Sequence, residues 1–268
     1  MDEYLHANQK LWNEWTEEHE RSPFYDLEGF KAGQERLRSI ELEEVGDVRG
    51  KSLLHLQCHF GMDTLAWARH GAVVTGVDLS NDSIALAQSL SQELNIPAHF
   101  VVSDILTLPD NLQGKFDIVF TSYGILHWLR DLKRWGQVIH HFLKPGGFFY
   151  IVEDHPFMRI FSSDPERGVV PDNPYFFTEE PYKAETTGTY ATNFVGEKRT
   201  YYMWDHSIGE VINALIDAGL QIEYLHEFPF HLRQKFANMV EAENGYWRFP
   251  PEFNMIPLLF SLRASKPK

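Results

Sequence analysis

The sequence predicts an α/β protein built on a doubly wound, mainly parallel sheet, and three observations predict it. Short apolar runs of strand length recur through the first half, around Leu53 to Leu56, Ala72 to Val77, HFVV before Ser103, Phe116 to Thr121 and FFYIV before Glu153. Between them, apolar residues fall at helical spacing. Polar side chains then collect where the runs end: His55 and Gln57, Asp78, Asp104, and Ser122 with Tyr123. Strands alternating with helices give a parallel sheet covered on both faces, and ligands gather at the carboxyl ends of such strands where the strand order reverses.

Composition narrows the class. A chain of 268 residues suits one domain with insertions, and 43% hydrophobic with 23% charged residues suits a soluble globular protein with a substantial core. The net charge of −14 and pI near 5.3 set up a field that disfavours polyanions, so nucleic acid is not an expected partner. No stretch reaches the roughly 18 apolar residues of a membrane span. The start, MDEYLHANQK, lacks the basic and apolar regions of a signal peptide, so a cytoplasmic monomer or homodimer with no membrane partner is expected. The single cysteine, Cys58, reads as a small buried residue rather than a nucleophile. Thirteen histidines form no metal-ligand motif, and no metal is expected.

Taken in order, residues 1–45 read as an N-terminal helical lid. Leu5, Leu11, Trp12 and Trp15 make an apolar stripe, Pro23 breaks it, and Gly29 to Glu44 suggests a second helix. Trp12, Trp15, Tyr25 and Phe30 are candidates to close over a ligand. Residues 50–153 form the ligand-binding core: strand, tight loop at Gln57 to Gly61, helix from Met62, and a second strand delivering Asp78. A helix follows with Asn81 as its N-cap, then the strand to Asp104, the strand from Phe116, a helix to Phe142, and a fifth strand after a turn at Pro145–Gly147. Periodicity fails over 154–205, where Pro156, Pro165, Pro171, Pro174 and Pro181 interleave with tyrosines and phenylalanines. A stretch of that length is read as an aromatic cap with a short antiparallel element. Residues 206–268 supply a helix closed by Gly219, with Asp205 as its N-cap, and two last strands around a long aromatic connection.

The strand ends carry the chemistry. Asp78 is placed to accept hydrogen bonds from two ribose hydroxyls, and Asp104, one strand further out, to accept from an exocyclic amine. Two such carboxylates without a GxGxxG phosphate cradle suggest an adenosine that lacks phosphates, which points to S-adenosylmethionine.

LLHLQCHFG, GVDLS, SDI, FDIVFTSYGILHWL and LKPGG stand in the order and spacing of the class I methyltransferase motifs, and over residues 50 to 155 the chain resembles a small-molecule member of that family, of the type 11/12 kind. The resemblance implies a Rossmann-like seven-stranded sheet of order 3-2-1-4-5-7-6 with the last strand antiparallel, and methyl transfer from S-adenosylmethionine to a small-molecule acceptor. It also implies residue roles. Gln57, Cys58, His59, Phe60 and Gly61 form the loop under the methionine part; Asp78 takes the ribose, Leu79 packs on adenine, Asp104 and Ile105 hold the adenine edge, and Ser122 and Tyr123 flank the sulfonium. The family's Asp/Glu-x-Gly-x-Gly-x-Gly becomes His55-Leu-Gln-Cys-His59-Phe-Gly61, so His55 replaces the acidic residue that helps bind the methionine ammonium.

His59, just before a helix N-terminus, is a candidate to donate a hydrogen bond to the methionine carboxylate. Candidates for a general base are His127, Glu153, His155 and Tyr123, and Trp204 is a candidate for the acceptor pocket. Two other readings stay open: a protein that binds S-adenosylmethionine without turnover, and a nicotinamide-dependent oxidoreductase, which also wants Asp78 but needs the missing phosphate loop.

Overall fold

The computed structural model describes residues 2–162, 169–192, 194–242, 245–253 and 256–268. Three helices open the chain: α1 (Glu3–Glu20), α2 (Leu27–Lys31) and α3 (Ser39–Val45). Asp2 caps α1 by accepting from the Leu5 amide. The expected single helix from Gly29 to Glu44 is two short ones, because α2 stops at Lys31 and the chain turns at Gly33, with φ of 100°.

The core then alternates as β1 (Ser52–Leu56), α4 (Met62–Arg69), β2 (Val73–Asp78), α5 (Asn81–Glu93), β3 (His99–Val102), α6 (Leu108–Asn111), β4 (Phe116–Ser122), α7 (Leu132–Phe142) and β5 (Leu143–Asp154). After α8 (Pro156–Arg159) comes an antiparallel hairpin, β6 (Tyr182–Gly188) with β7 (Val195–Met203), the short antiparallel element expected between 154 and 205. Pro165 lies outside the described residues. Helix α9 (Ile208–Asp217) and strand β8 (Gln221–Phe228) follow, then a small three-stranded sheet of β9 (Phe230–His231), β10 (Val240–Glu241) and β11 (Trp247–Arg248), and last β12 (Leu259–Ser265).

The main sheet has seven strands in the order β3-β2-β1-β4-β5-β12-β8. In terms of its own strands this is the expected 3-2-1-4-5-7-6, with β12 antiparallel to both neighbours. One hydrophobic layer lies on each face, around Trp135, Phe142 and Leu215 on one side and Trp67, Phe120 and Tyr150 on the other. That double burial explains why β1, β4 and β5 read as continuous apolar runs.

Three local expectations are corrected. Ser80, not Asn81, caps α5, accepting from the Ser83 amide. Ser207, not Asp205, caps α9 in a reciprocal capping box with Glu210, which leaves Asp205 to pair with Arg159. Of the apolar stripe of α1 only Leu11 is buried, beside the polar Asn8, Thr16 and His19, because the helix docks on polar edges and turns Leu5, Trp12 and Trp15 to cavity walls. Asn8 donates to the Tyr202 carbonyl and accepts from the Tyr202 amide, completing the free edge of β7.

Candidate functional site

Order reverses between β1 and β4, and the loop after β1 lies at that switch point. Gln57 and His59 occupy positions where the resembled motif has glycine, and both are left-handed, with φ of 56° and 52°. That conformation costs a residue with a Cβ about 1–2 kcal/mol, so the loop is held in place by bonds across the sheet. Cys58 N donates to Val77 O at 2.9 Å, and His59 N donates to Asp78 Oδ2 at 2.8 Å. Gly61, with φ of 77°, opens α4; a Cβ there would stand 2.7 Å from the Phe100 ring.

Asp78 thus shapes the loop while lining the cavity beside it. Its other oxygen accepts from Ser80 N at 2.9 Å, and burial raises the carboxyl against the pull of these amides. Asp104 lines the same cavity; Oδ1 accepts from Leu106 N at 3.1 Å, Oδ2 has no partner among the described residues, and burial raises the group. Each carboxylate retains acceptor capacity for hydroxyl or amine donors.

The inner cavity, of about 210 Å³, brings together Gln57, Cys58, His59, Asp78, Leu79, Asp104, Ile105, Ser122 and Tyr123 with Trp12 and Tyr25. It meets a larger outer cavity of about 1150 Å³, and Trp12, Tyr123, Gly124, Trp128, Asp154, Tyr190 and Arg233 belong to both walls. Trp15 and His127 line the outer one. Burial, reinforced by Arg159, Lys235 and Arg233, holds the His127 imidazole neutral, well below its ordinary range. The Tyr123 hydroxyl and Gln57 Oε1 are buried without a hydrogen-bond partner among the described residues.

Other predicted residues sit elsewhere. Phe60 and Gly61 support the loop from behind, with Phe60 buried against the Tyr25 ring at 5.0 Å. Phe30 is in the core under the Arg69 guanidinium, 4.0 Å from the ring centroid. Trp204 lines a narrow recess with Asp104 and Leu129 beside the inner cavity. Glu153 is buried and accepts from three backbone amides, Gly124, Ile125 and Asp154, which braces the turn after β4. His155 caps α8 through Nδ1 at 3.0 Å from Phe157 N, and its Nε2 lies 2.9 Å from Glu227. Neither Glu153 nor His155 lines either cavity. The His59 ring is enclosed by Trp12, Tyr25 and Phe60, with Nε2 3.2 Å from His19 Nδ1.

The sequence reading missed several wall residues. Arg36, from the turn between α2 and α3, and Asp63, in the first turn of α4, pair at 3.0 Å in the inner cavity. Asp154 is clamped by His231 and Lys235, each at 2.8 Å; burial opposes ionisation, yet these two hold the carboxyl well below its ordinary range. Arg233 stacks over Tyr190 at 4.8 Å and has no ion pair among the described residues. An arginine on an aperiodic turn and an aspartate opening a helix carry no pattern beyond solvation and the helix dipole, so local sequence does not single them out.

Residues 53–147 match the family model of the methyltransferase domain. An uncharacterized methyltransferase of Synechocystis is 33% identical over 126 residues, 46% of this chain and 56% of that protein. A ubiquinone biosynthesis O-methyltransferase of Pseudomonas syringae pv. tomato is 27% identical over 150 residues, 55% of this chain and 61% of that one. The chain thus spans about half the length of the curated relatives it matches. Among solved structures, an S-adenosylmethionine-dependent methyltransferase from Mesorhizobium loti superposes with a TM-score of 0.54 at 21% identity, covering 87% of this chain and 99% of that one.

Proposed function

We propose that this chain, whose residues 53–147 match the methyltransferase-domain model, is a class I S-adenosylmethionine-dependent methyltransferase that transfers a methyl group from S-adenosylmethionine to a small-molecule acceptor. One observation carries the reading: carboxylates at the ends of two adjacent strands, Asp78 and Asp104, line one cavity with the β1 loop, and that cavity shares a wall with a larger one. The residues fit the cofactor. Asp78 and Asp104 offer acceptors to ribose and adenine, Leu79 and Ile105 offer apolar surface to the base, and the orphaned Gln57 Oε1 is a buried acceptor waiting for a donor.

When bound, S-adenosylmethionine supplies an electrophilic methyl carbon on a sulfonium. The chain's own contribution is orientation and exclusion of water. Trp12, Tyr123, Trp128 and Tyr190, on both walls, form an apolar collar where the cavities meet. His127, neutral in the outer wall, accepts a proton from an acceptor that carries one, as a weak base. In the outer wall Arg159 pairs with Asp205 and Lys235 with Asp154, whereas Arg233, stacked on Tyr190, keeps its guanidinium for an acceptor with an acidic group on an aromatic frame.

Equilibrium binding of labelled S-adenosylmethionine against NAD tests the cofactor, with S-adenosylmethionine bound and NAD not. Release of S-adenosylhomocysteine with an acceptor library, aromatic acids included, tests turnover. Preference for NAD, or tight cofactor binding with no release across diverse acceptors, overturns the proposal.

A further inference from the structure

We propose that Arg36 and Asp63 form a clamp for the zwitterionic amino-acid end of the cofactor, with Asp63 taking the ammonium role that His55 cannot fill. The inference rests on the reading of the inner cavity as an adenosyl site.

His55 stands at the end of β1 where the family has a carboxylate. It is buried, with Nδ1 2.8 Å from Thr64 Oγ1 and its ring edge-on to Phe120, and burial lowers its pKa to about 4. A neutral imidazole gives an ammonium no negative charge to meet. Eight residues on, Asp63 returns a carboxylate to the same cavity wall.

The polar atoms in that wall match an α-amino acid group by group. Arg36 Nε donates to Asp63 Oδ1 at 3.0 Å, with both side chains about one-fifth exposed, at 21% and 19%. Among the described residues, the terminal guanidinium nitrogens of Arg36 have no hydrogen-bond partner, and Asp63 Oδ2 has only Ser122 Oγ at 3.5 Å. Gln57 Nε2 donates to Ile125 O at 3.3 Å, which leaves Oε1 buried and unpaired. The wall therefore holds spare donors on Arg36 for a carboxylate, and spare acceptors on Asp63 and Gln57 for the three N–H groups of an ammonium. His59, the other candidate for the carboxylate, is occupied by His19 and an aromatic enclosure.

The alternative is that Arg36–Asp63 only ties the N-terminal segment to α4. Calorimetry on the full chain separates the two with three probes: S-adenosylhomocysteine, its analogue with hydrogen in place of the α-amino group, and 5′-methylthioadenosine, which lacks the amino acid altogether. Asp63→Asn and Arg36→Gln are each expected to weaken S-adenosylhomocysteine roughly tenfold to a hundredfold, the worth of one charge-assisted hydrogen bond, while 5′-methylthioadenosine stays within about twofold. Asp63→Asn should also erase the wild-type preference for S-adenosylhomocysteine over the desamino analogue. Unchanged S-adenosylhomocysteine affinity in both variants overturns the clamp. So does equal loss of all three probes, the mark of a merely structural tie. Wild-type protein that binds none of the probes sinks the adenosyl reading itself, a separate result.

Discussion

Gly61→Ala tests whether the loop after β1 is as constrained as its geometry implies. Two costs add. An alanine at φ of 77° pays about 1–2 kcal/mol for left-handed backbone. Its Cβ would also stand 2.7 Å from Phe100 Cε1 and 2.9 Å from Ala87 Cβ, closer than atoms tolerate, and overpacking of a filled core costs about 1–3 kcal/mol. The expected loss is about 2–5 kcal/mol, a large part of the roughly 5–15 kcal/mol that keeps a domain folded. Urea denaturation reads it as a lower midpoint at unchanged slope. Replacing Phe100 by Leu removes the ring that the added methyl strikes, so in that background the backbone part and the Ala87 contact should survive, and the double-mutant cycle should show a coupling of up to about 1–3 kcal/mol. A Gly61→Ala midpoint indistinguishable from wild type, or a cycle with no coupling, refutes the packing argument.

Two further predictions follow from charge. Burial lowers His55 to about 4 and His19 to about 3, so the unfolded chain binds more protons than the folded one below 6.5, and the stability present above pH 6.5 is lost as pH falls toward 4. Glu41, raised by burial to about 8, has the opposite sign, so the readout is a difference: His19→Gln/His55→Gln should lose less stability than wild type between pH 7.5 and pH 5 in urea titrations, and equal losses would rule it out. For any acidic acceptor that turns over, Arg233→Gln should raise KM by roughly 10- to 100-fold, the worth of a charge-assisted hydrogen bond, with S-adenosylhomocysteine affinity unchanged; a fall in cofactor affinity with KM unchanged would refute its role toward the acceptor.

What was legible followed from periodicity and from strand ends. The apolar runs gave β1 to β5, and because each strand stops where its side chains turn polar, Asp78, Asp104, Ser122 and Tyr123 announced one edge of the sheet. The residues that escaped are brought there by non-local packing. Arg36 comes from an aperiodic turn and Arg233 from the long connection after β8, and only tertiary folding sets them in one cavity with Asp63 and Tyr190. Glu153 and His155 line neither cavity for a related reason: a polar residue at a strand end can face the ligand or its own backbone, and these two serve Gly124, Ile125 and Phe157 amides.

The substituted glycines and the N-terminal helix belong to one arrangement. Left-handed Gln57 and His59 carry strain that glycine would avoid, and such strain persists only where the surroundings over-determine it. At His59 those surroundings are the bond to Asp78 and the N-terminal segment, where Trp12, His19 and Tyr25 enclose the ring. The segment is itself tied down, by Gln9 Nε2 to Leu79 O at 2.9 Å, Ser80 Oγ to Asn13 at 2.7 Å and Thr16 to Ser83 at 2.7 Å. These bonds fasten α1 to the residues that follow Asp78, the same carboxylate that holds the His59 amide. A side chain at position 59 therefore does what glycine cannot, because it gives the N-terminal helix a surface to pack on. The helix in return packs against the loop, and the segment supplies Leu5, Asn8, Trp12 and Tyr25 to the cavity wall.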